Sequence, residues 1–318
     1  MKNLVHVKKL KGDASFRKFF RKKNKKTTSI IVYAKKEKKK NLLIYDSINK
    51  ILIKNNIIAP KLLNQNYKKN YIEIQDLGKK TIYQIFSRNK KNQYLIFKKV
   101  ISILNKIQLV KDKKIKNFRN KFYLIKDYKS KILLDEANLF SYWYVPKNLN
   151  KKKINIFNSK FNKEIKLVLS KLNFKNDTFV HRDFHVSNLI INSKNQIGLI
   201  DNQDALIGNK AYDLASLIDD VRYKTPNSLK DKVYNYYLNT NKKIDVNKFK
   251  NDFDILSVLR NLKIIGIFMR LAERDKKRKY LKLIPYAWNM IDNRMSKNKA
   301  FDNLKLLLRS NFPKSITK

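Results

Sequence analysis

The chain of 318 residues sets 74 lysines and arginines against 25 aspartates and glutamates, a formal net charge of +49. Its 43% hydrophobic and 12% aromatic content is that of a folded globule, not of a disordered polycation. Cysteine is absent, which excludes disulfides, thiol catalysis and thiolate-bound zinc, and no run approaches the roughly 18 apolar residues of a membrane span. The first residues, MKNLVHVKKLKGD, hold no long apolar segment, so no secretory signal is expected and a cytoplasmic location is. Lysine recurs in every segment, commonly beside asparagine, and is not gathered on one face or tail. That is a bias of the whole composition rather than the footprint of a specific nucleic-acid binder. Such a charge attracts polyanions in a salt-labile way and favours the arrival of anionic small molecules.

In chain order, two β-rich runs, Ser15 to Arg21 and Thr28 to Ala34, flank a Lys/Asn turn and are expected to form a hairpin. Its entry, Gly12-Asp13-Ala14-Ser15, is a small-residue turn of the kind that sets backbone N–H groups and a hydroxyl against phosphate. No G-x-G-x-x-G or Walker A sequence is present. Lys35 to Lys40 reads as a solvated charge run. From Leu42 to Asn55, apolar residues at Leu43, Ile44, Ile48, Ile51 and Leu52 recur at helical spacing, and Pro60 closes that unit. Leu62 to Asn66 and Tyr71 to Ile74 read as two more strands, with Gln75 to Gly78 as a connector. After it the chain turns helical, over Tyr94 to Val110, Glu136 to Val145, Phe161 to Leu172, Tyr212 to Val221 and Asp252 to Glu273. Lys111 to Lys121 reads as a basic, exposed connector. No internal repeat or flexible linker interrupts the chain.

The most informative stretch runs from Phe179 to Asp220. Leu189 to Ile191, a polar turn at Asn192 to Asn195, and Ile197 to Ile200 predict a β-hairpin. Such a hairpin returns Asn188 and Asp201 to the same end of two paired strands, beside Asp183. Two aspartates and an asparagine converging there suit Mg²⁺, which is held by one or two carboxylates plus substrate phosphates. His181-Arg182-Asp183, with Asn188 five residues after the aspartate and a strand-borne Asp201 beyond, is the spacing of a phosphotransferase catalytic loop and metal aspartate. The usual D-F-G is replaced by Asp201-Asn202-Gln203. His181 is expected to pack and hydrogen-bond within the loop, His185 to lie on the solvent-facing loop, and Asp213 to cap a helix or brace a loop. His6 has no metal-ligand spacing.

On GDASFRKFFR (Gly12 to Arg21), QDLG (Gln75 to Gly78), the His181 to Asp220 stretch and LRNLKIIGIFMRLAERDKKRKYL (Leu259 to Leu281), the chain resembles the aminoglycoside phosphotransferase and choline kinase family. Within it, the first and last of these stretches are similar to those of bacterial anomeric amino-sugar kinases. The resemblance implies an α+β, bilobal protein-kinase-like fold, with a small β-rich N-lobe over residues 1–77 and a larger, mainly helical C-lobe over 78–318. It implies ATP and Mg²⁺ as cofactors, Asp183 as the catalytic aspartate, and Asn188 and Asp201 as metal ligands. The nucleotide would meet Ser15, Arg17, Lys35 and the hinge Gln75, Asp76 and Leu77. A sugar acceptor, N-acetylmuramate or N-acetylglucosamine phosphorylated at C1 for cell-wall salvage, would meet Arg182, Gln203, Asp204 and Arg260. One departure stands out: the strand Ser29 to Ala34 lacks the usual phosphate-binding lysine, and the helix after it offers Asp46 as its sole acid. A kinase of the same fold for choline, homoserine or an aminoglycoside is the nearest alternative. A non-catalytic basic nucleic-acid or nucleotide binder is a more distant one.

Overall fold

The computed structural model describes residues 6–10, 16–25, 27–89 and 91–313. The chain divides into two compact units. One takes in the residues up to Lys126 together with His181–Leu206; the other takes in Asp127–Val180 and the residues from Ile207 onward.

The first unit is built on an antiparallel sheet of five strands: β1 (His6–Lys9), β2 (Lys18–Lys23), β3 (Thr28–Tyr33), β4 (Leu62–Asn66) and β5 (Tyr71–Gln75), in the order β1-β2-β3-β5-β4. β3 is central because T-S-I-I-V-Y is rich in β-branched and aromatic side chains, which suit a pleated, half-buried surface. It pairs with β5 in the register Val32↔Ile72 and Ile30↔Ile74. Helix α1 (Lys40–Lys54) lays Leu42, Tyr45, Ile48, Ile51 and Leu52 into the core, and each fully buried apolar side chain contributes about 1.5–3 kcal/mol. Val32, Ala34, Leu42, Tyr45, Ile72 and Ile74 form one cluster, flanked by Phe19, Ile30, Leu62 and Phe118. α1 ends where Asn56 takes a φ of 58°, the left-handed position that usually falls to glycine. Two further helices, α2 (Ile82–Arg88) and α3 (Gln93–Gln108), follow the connector. Thr81 opens α2 with a capping box, accepting from the Gln84 N–H while the Gln84 side chain accepts from Thr81 N–H.

β1 adds an edge strand that was not expected, while β2 to β5 and α1 fall within a few residues of their expected positions. The basic connector does not: Lys114–Lys116 and Phe122–Leu124 pair as a small antiparallel hairpin. Their K-I-K and F-Y-L alternation has the period of a strand, but the surrounding lysines hide it.

The second unit is helical. Its longest helix, Val246–Glu273, buries residues around much of its circumference. Ser130–Leu139 continues through a π-helical turn, Phe140–Tyr144, into Val145–Asn148. Gly266 explains how closely the long helix approaches that turn: a Cβ there would lie 2.3 Å from the Leu139 carbonyl carbon, a distance no side chain tolerates. Around the turn, Phe140 stands 5.0 Å from Tyr144 and 5.5 Å from both Trp288 and Phe312, measured between ring centroids. Asp252 braces the unit, its carboxylate accepting from Asn173 N (2.8 Å), Phe174 N (2.9 Å) and Asn209 Nδ2 (2.7 Å). Of the two roles expected of Asp213, N-cap or loop brace, the cap is not the one it takes. It lies inside the first turn of Ala211–Ile218, and Asn209 Oδ1 instead accepts from Ala211 N at 3.0 Å. Among the described residues no helix is long and apolar enough to cross a membrane.

A buried ion cluster ties three helices of this unit together. Asp219 accepts from Lys230 Nζ (3.0 Å), Ser257 Oγ (2.6 Å) and Arg294 Nε (2.9 Å). Burial alone would raise the Asp219 carboxyl, but the charges of Arg294 and Lys230 outweigh it and hold the group far below the ordinary carboxylate range. Because its folded-state value is depressed, Asp219 contributes its full stabilisation above the unfolded value of 3.8, and that contribution is lost as the pH falls below it. Asp219→Asn, which takes the shared carboxylate from buried Lys230 and part-buried Arg294, is expected to cost about 3–5 kcal/mol at neutral pH. Chemical unfolding should show the gap between variant and parent narrowing below pH 3.8.

Candidate active site

The hairpin expected after the His181 stretch is present, in the first unit. Leu189 pairs with Leu199, Ile190 with Gly198 and Ile191 with Ile197. Its turn is closed by Asn192, whose Oδ1 accepts from Lys194 N (3.0 Å) and Gln196 N (2.9 Å), while Asn195 takes a φ of 57°. Gly198 lets the hairpin lie tightly on the segment after α1 and on the connector: a Cβ there would come within 2.8 Å of Leu77 Cδ1 and 2.9 Å of Ile58 Cγ2. Leu199 N donates to Ile58 O at 2.8 Å.

Paired strands bring the chemistry-bearing residues to one end. Ile200 N donates to Asn188 O at 3.0 Å, so Asp201 follows directly on a residue bonded to Asn188. Asn188 Nδ2 donates to the Asp183 carbonyl at 3.0 Å. With its nitrogen so engaged, the Asn188 amide presents Oδ1 as an acceptor that no donor among the described residues takes up. The donor set is therefore all oxygen, the chemistry of a hard cation such as Mg²⁺. The oxygen chemistry of Asp201 and Asn188 fits that ion.

Asp201 sits in a left-handed backbone conformation, φ 65° and ψ 37°, and Arg182 at φ 73°. Among the described residues, five of the eight non-glycine positions with positive φ are asparagines at turns and helix ends; of the three charged exceptions, Lys276 follows the long helix, while Arg182 and Asp201 mark stored strain at one site. Asn202 holds the strained turn. Its Oδ1 accepts from His181 Nε2 at 2.8 Å, and its Nδ2 donates to Asn49 Oδ1 at 2.8 Å and Leu199 O at 3.2 Å. His181 Nε2 also lies 3.2 Å from Ile200 O, which fixes the tautomer with the proton on Nε2. Asn49 in turn donates to Pro60 O at 3.0 Å.

The electrostatics centre on Asp201. Desolvation pushes its carboxyl above the ordinary aspartate range; Arg17 opposes this, Asp183 and Asp204 add to it, and His181 opposes it in turn. Arg17 Nη2 donates to Asp201 Oδ1 at 2.8 Å. Beneath them Tyr45, wholly buried and facing the Asp201 charge, has its hydroxyl pushed well above its ordinary value.

The other expected contacts divide. Gly12 to Ser15 lie outside the described residues. Lys35 is exposed at the start of a short 3₁₀ turn. Gln75 is exposed at the end of β5, and Leu77 is buried under the hairpin. Asp76 directs its carboxylate inward, 2.6 Å from Arg21 Nε and 3.1 Å from Gly78 N, so only its backbone is presented to a ligand. Arg182 Nη1 donates to Asp204 O at 3.0 Å, and Gln203 Nε2 to Asp204 Oδ2 at 2.5 Å; these three form one local group. Arg260 belongs to the long helix of the second unit, where it is buried. His185 corrects an expectation: it is 4% exposed, not solvent-facing, because the loop folds back on itself through His185 N donating to Asp183 O at 3.0 Å. A recess of about 540 Å³ is lined by Ile53, Ile57, Lys61, Gln75, Asp76 and Asn192 among others. Asp183, Asn188 and Asp201 do not line it.

Sequence reasoning missed Asn41, Tyr45 and Asn49, although a signal was there. They stand four residues apart along α1, a polar stripe on one face of a helix otherwise read for its apolar positions.

Comparison with known proteins gives a consistent picture. A family model described as "Phosphotransferase enzyme family" (APH) matches residues 6–245. An N-acetylmuramate/N-acetylglucosamine kinase of Pseudomonas aeruginosa is 25% identical over 304 residues, 94% of this chain and 86% of that protein. One from Neisseria meningitidis serogroup B is 27% identical over 289 residues, 88% and 82% of the two chains. Among solved structures, an ADP-bound aminoglycoside phosphotransferase superposes with a TM-score of 0.60 at 14% identity, covering 92% of this chain and 95% of its own. Choline kinase LicA of Streptococcus pneumoniae gives 0.60 at 13% identity, covering 89% and 93%. These structures share the protein-kinase-like fold that the sequence led us to expect.

Asn202→Ala tests what holds the site. Removing the acceptor nearest His181 and the donor to Asn49 and Leu199 should cost about 1–3 kcal/mol in chemical unfolding. An unchanged midpoint would show the network to be incidental.

Proposed function

This chain belongs to the phosphotransferase enzyme family, and on that premise we propose that it transfers the γ-phosphoryl group of ATP to the anomeric C1 hydroxyl of an N-acetylated amino sugar, N-acetylmuramate or N-acetylglucosamine. The observation that supports the reading is that Asn188 Nδ2 donates to the Asp183 carbonyl at 3.0 Å while Ile200, the residue before Asp201, donates its N–H to Asn188 O at 3.0 Å. The choice of acceptor is supported by the names of relatives that align over nearly the whole chain. In this reading the enzyme works in the cytoplasm, on a sugar released in cell-wall salvage.

Phosphoryl transfer needs positioning and charge neutralisation more than covalent help. Asp183 accepts a hydrogen bond from the sugar C1 hydroxyl, turns its oxygen lone pair toward the γ-phosphorus and takes the proton as the O–P bond forms. The bond from phosphorus to the bridging oxygen breaks, and ADP leaves with that oxygen. Mg²⁺, when bound by Asp201 and Asn188, supplies positive charge against the phosphate oxygens. Asn188 also keeps the catalytic loop against the hairpin, by donating to the Asp183 carbonyl. The backbone of Gln75 to Leu77 borders the adenine. Arg182, Gln203 and Asp204, already joined to one another, present a guanidinium and an amide to the acceptor, and a guanidinium matches a carboxylate bidentately.

Incubating the protein with Mg-ATP and a panel of N-acetylmuramate, N-acetylglucosamine, choline, homoserine and an aminoglycoside, with the products followed by phosphorus NMR, tests the reading. A sugar 1-phosphate is expected. Phosphate on another hydroxyl, or on choline alone, would replace the acceptor while keeping the kinase. Asp183→Asn is expected to bind ADP as the parent does and to turn over at least about 100-fold more slowly; parental turnover in a folded variant would remove Asp183 from its role.

A further inference from the structure

Kinases of this architecture hold the nucleotide phosphates with a strand lysine that a helix glutamate steadies. Neither half of that pair is available among the described residues of β3 and α1. β3 has no lysine, and Lys35 beyond it is exposed. The sole acid of α1, Asp46, is 3% exposed and spent elsewhere: it accepts from Phe118 N at 2.8 Å and pairs with Lys50 at 2.9 Å.

Arg17 is a buried cation that reaches Asp201. It is 6% exposed, which is rare for an arginine, and its guanidinium is boxed by aromatic rings. Its central carbon lies 5.6 Å from the Phe16 centroid and 5.8 Å from those of Phe19 and Tyr45. Nη1 reaches Asn41 Oδ1 at 3.3 Å, and Nη2 reaches Asp201 Oδ1 at 2.8 Å. α1 thus steadies this cation with an amide and a ring rather than with a carboxylate. The acid that balances its charge is Asp201 itself.

We infer that Arg17 is the phosphate-binding cation of this protein, and that metal and nucleotide arrive by an exchange of partners: Asp201 passes from the guanidinium to the divalent ion, and the guanidinium passes from Asp201 to the nucleotide's phosphate oxygens. In the free protein the Arg17–Asp201 pair keeps both charges neutralised. An arginine suits the exchange because its planar fork matches phosphate as well as carboxylate. Asn41 and the aromatic box hold the side chain in place while its far end changes partner. The inference rests on the reading of Asp201 as a metal ligand.

Two binding measurements on the full chain separate the possibilities: Mn²⁺ titrated without nucleotide by electron paramagnetic resonance, and ADP titrated in EDTA by calorimetry. Arg17→Ala is expected to bind Mn²⁺ more tightly, by about tenfold, because it removes the competing cation, and to bind metal-free ADP about tenfold more weakly. Arg17→Gln, which removes the charge but keeps a polar end, should move both in the same directions and carries the test if alanine does not fold. Arg17→Lys, which restores a cation, should recover most of the ADP affinity. A fold lesion would weaken both ligands together and would not give opposite signs. If Mn²⁺ binding depends on Asp201, as tested by Asp201→Asn, yet either shift is missing in the Arg17 variants, the exchange is overturned and the metal site stands. If Mn²⁺ binding ignores Asp201→Asn, the metal reading falls and the exchange falls with it.

Discussion

The site depends on one buried chain of amides. His181 donates to Asn202, Asn202 to Asn49, and Asn49 to the Pro60 carbonyl. In a low-dielectric interior such a chain is costly when half satisfied and rigid when complete. Here it links the catalytic loop, the turn after the hairpin and the end of α1. It also bears the strain of Asp201, whose left-handed backbone most side chains other than asparagine adopt only under constraint. That conformation sets where the carboxylate points. Everything inferred about metal and phosphate assumes an Asp201 that cannot relax.

The composition leaves its mark on how the fold is made. The chain has five glycines, and asparagine takes over the left-handed positions at Asn56, Asn70, Asn92, Asn120 and Asn195. Its side chain hydrogen-bonds locally and tolerates that region better than other residues do. Glycine is kept where space is limiting, as at Gly198 under Leu77 and Gly266 against Leu139, and where the backbone itself demands it, at Gly78 with a φ of 135°. Lysine behaves similarly: most lysines are exposed, while Lys230 is buried because Asp219 receives it.

How much of this was legible depended on the range of the interaction. The hairpin from Leu189 was readable because two short apolar runs and an Asn-rich turn are local signals. β4 and the strand pair β3 and β5 were readable for similar reasons. The Lys114–Lys116 strand and the first half of the helix Lys151–Ser170 were hidden because lysine and asparagine dilute the apolar period. His185 was misjudged because its burial follows from how the loop folds back, which spacing alone does not express. At the site, the hairpin geometry of Asn188 and Asp201 followed from pairing rules. The Arg17–Asp201 contact spans 184 positions, and nothing in either neighbourhood announces the other. The polar face of α1 lay in view but resembled ordinary helix surface until its partners were placed.

In the proposed function, Asp201 and Asn188 together make a metal site that serves a nucleotide. ADP affinity with and without Mg²⁺, compared between the parent and Asn188→Ala, tests it most directly. Mg²⁺ should strengthen ADP binding to the parent by at least about tenfold, and most of that gain should vanish in the variant. An equal Mg²⁺ enhancement in both proteins would contradict the account.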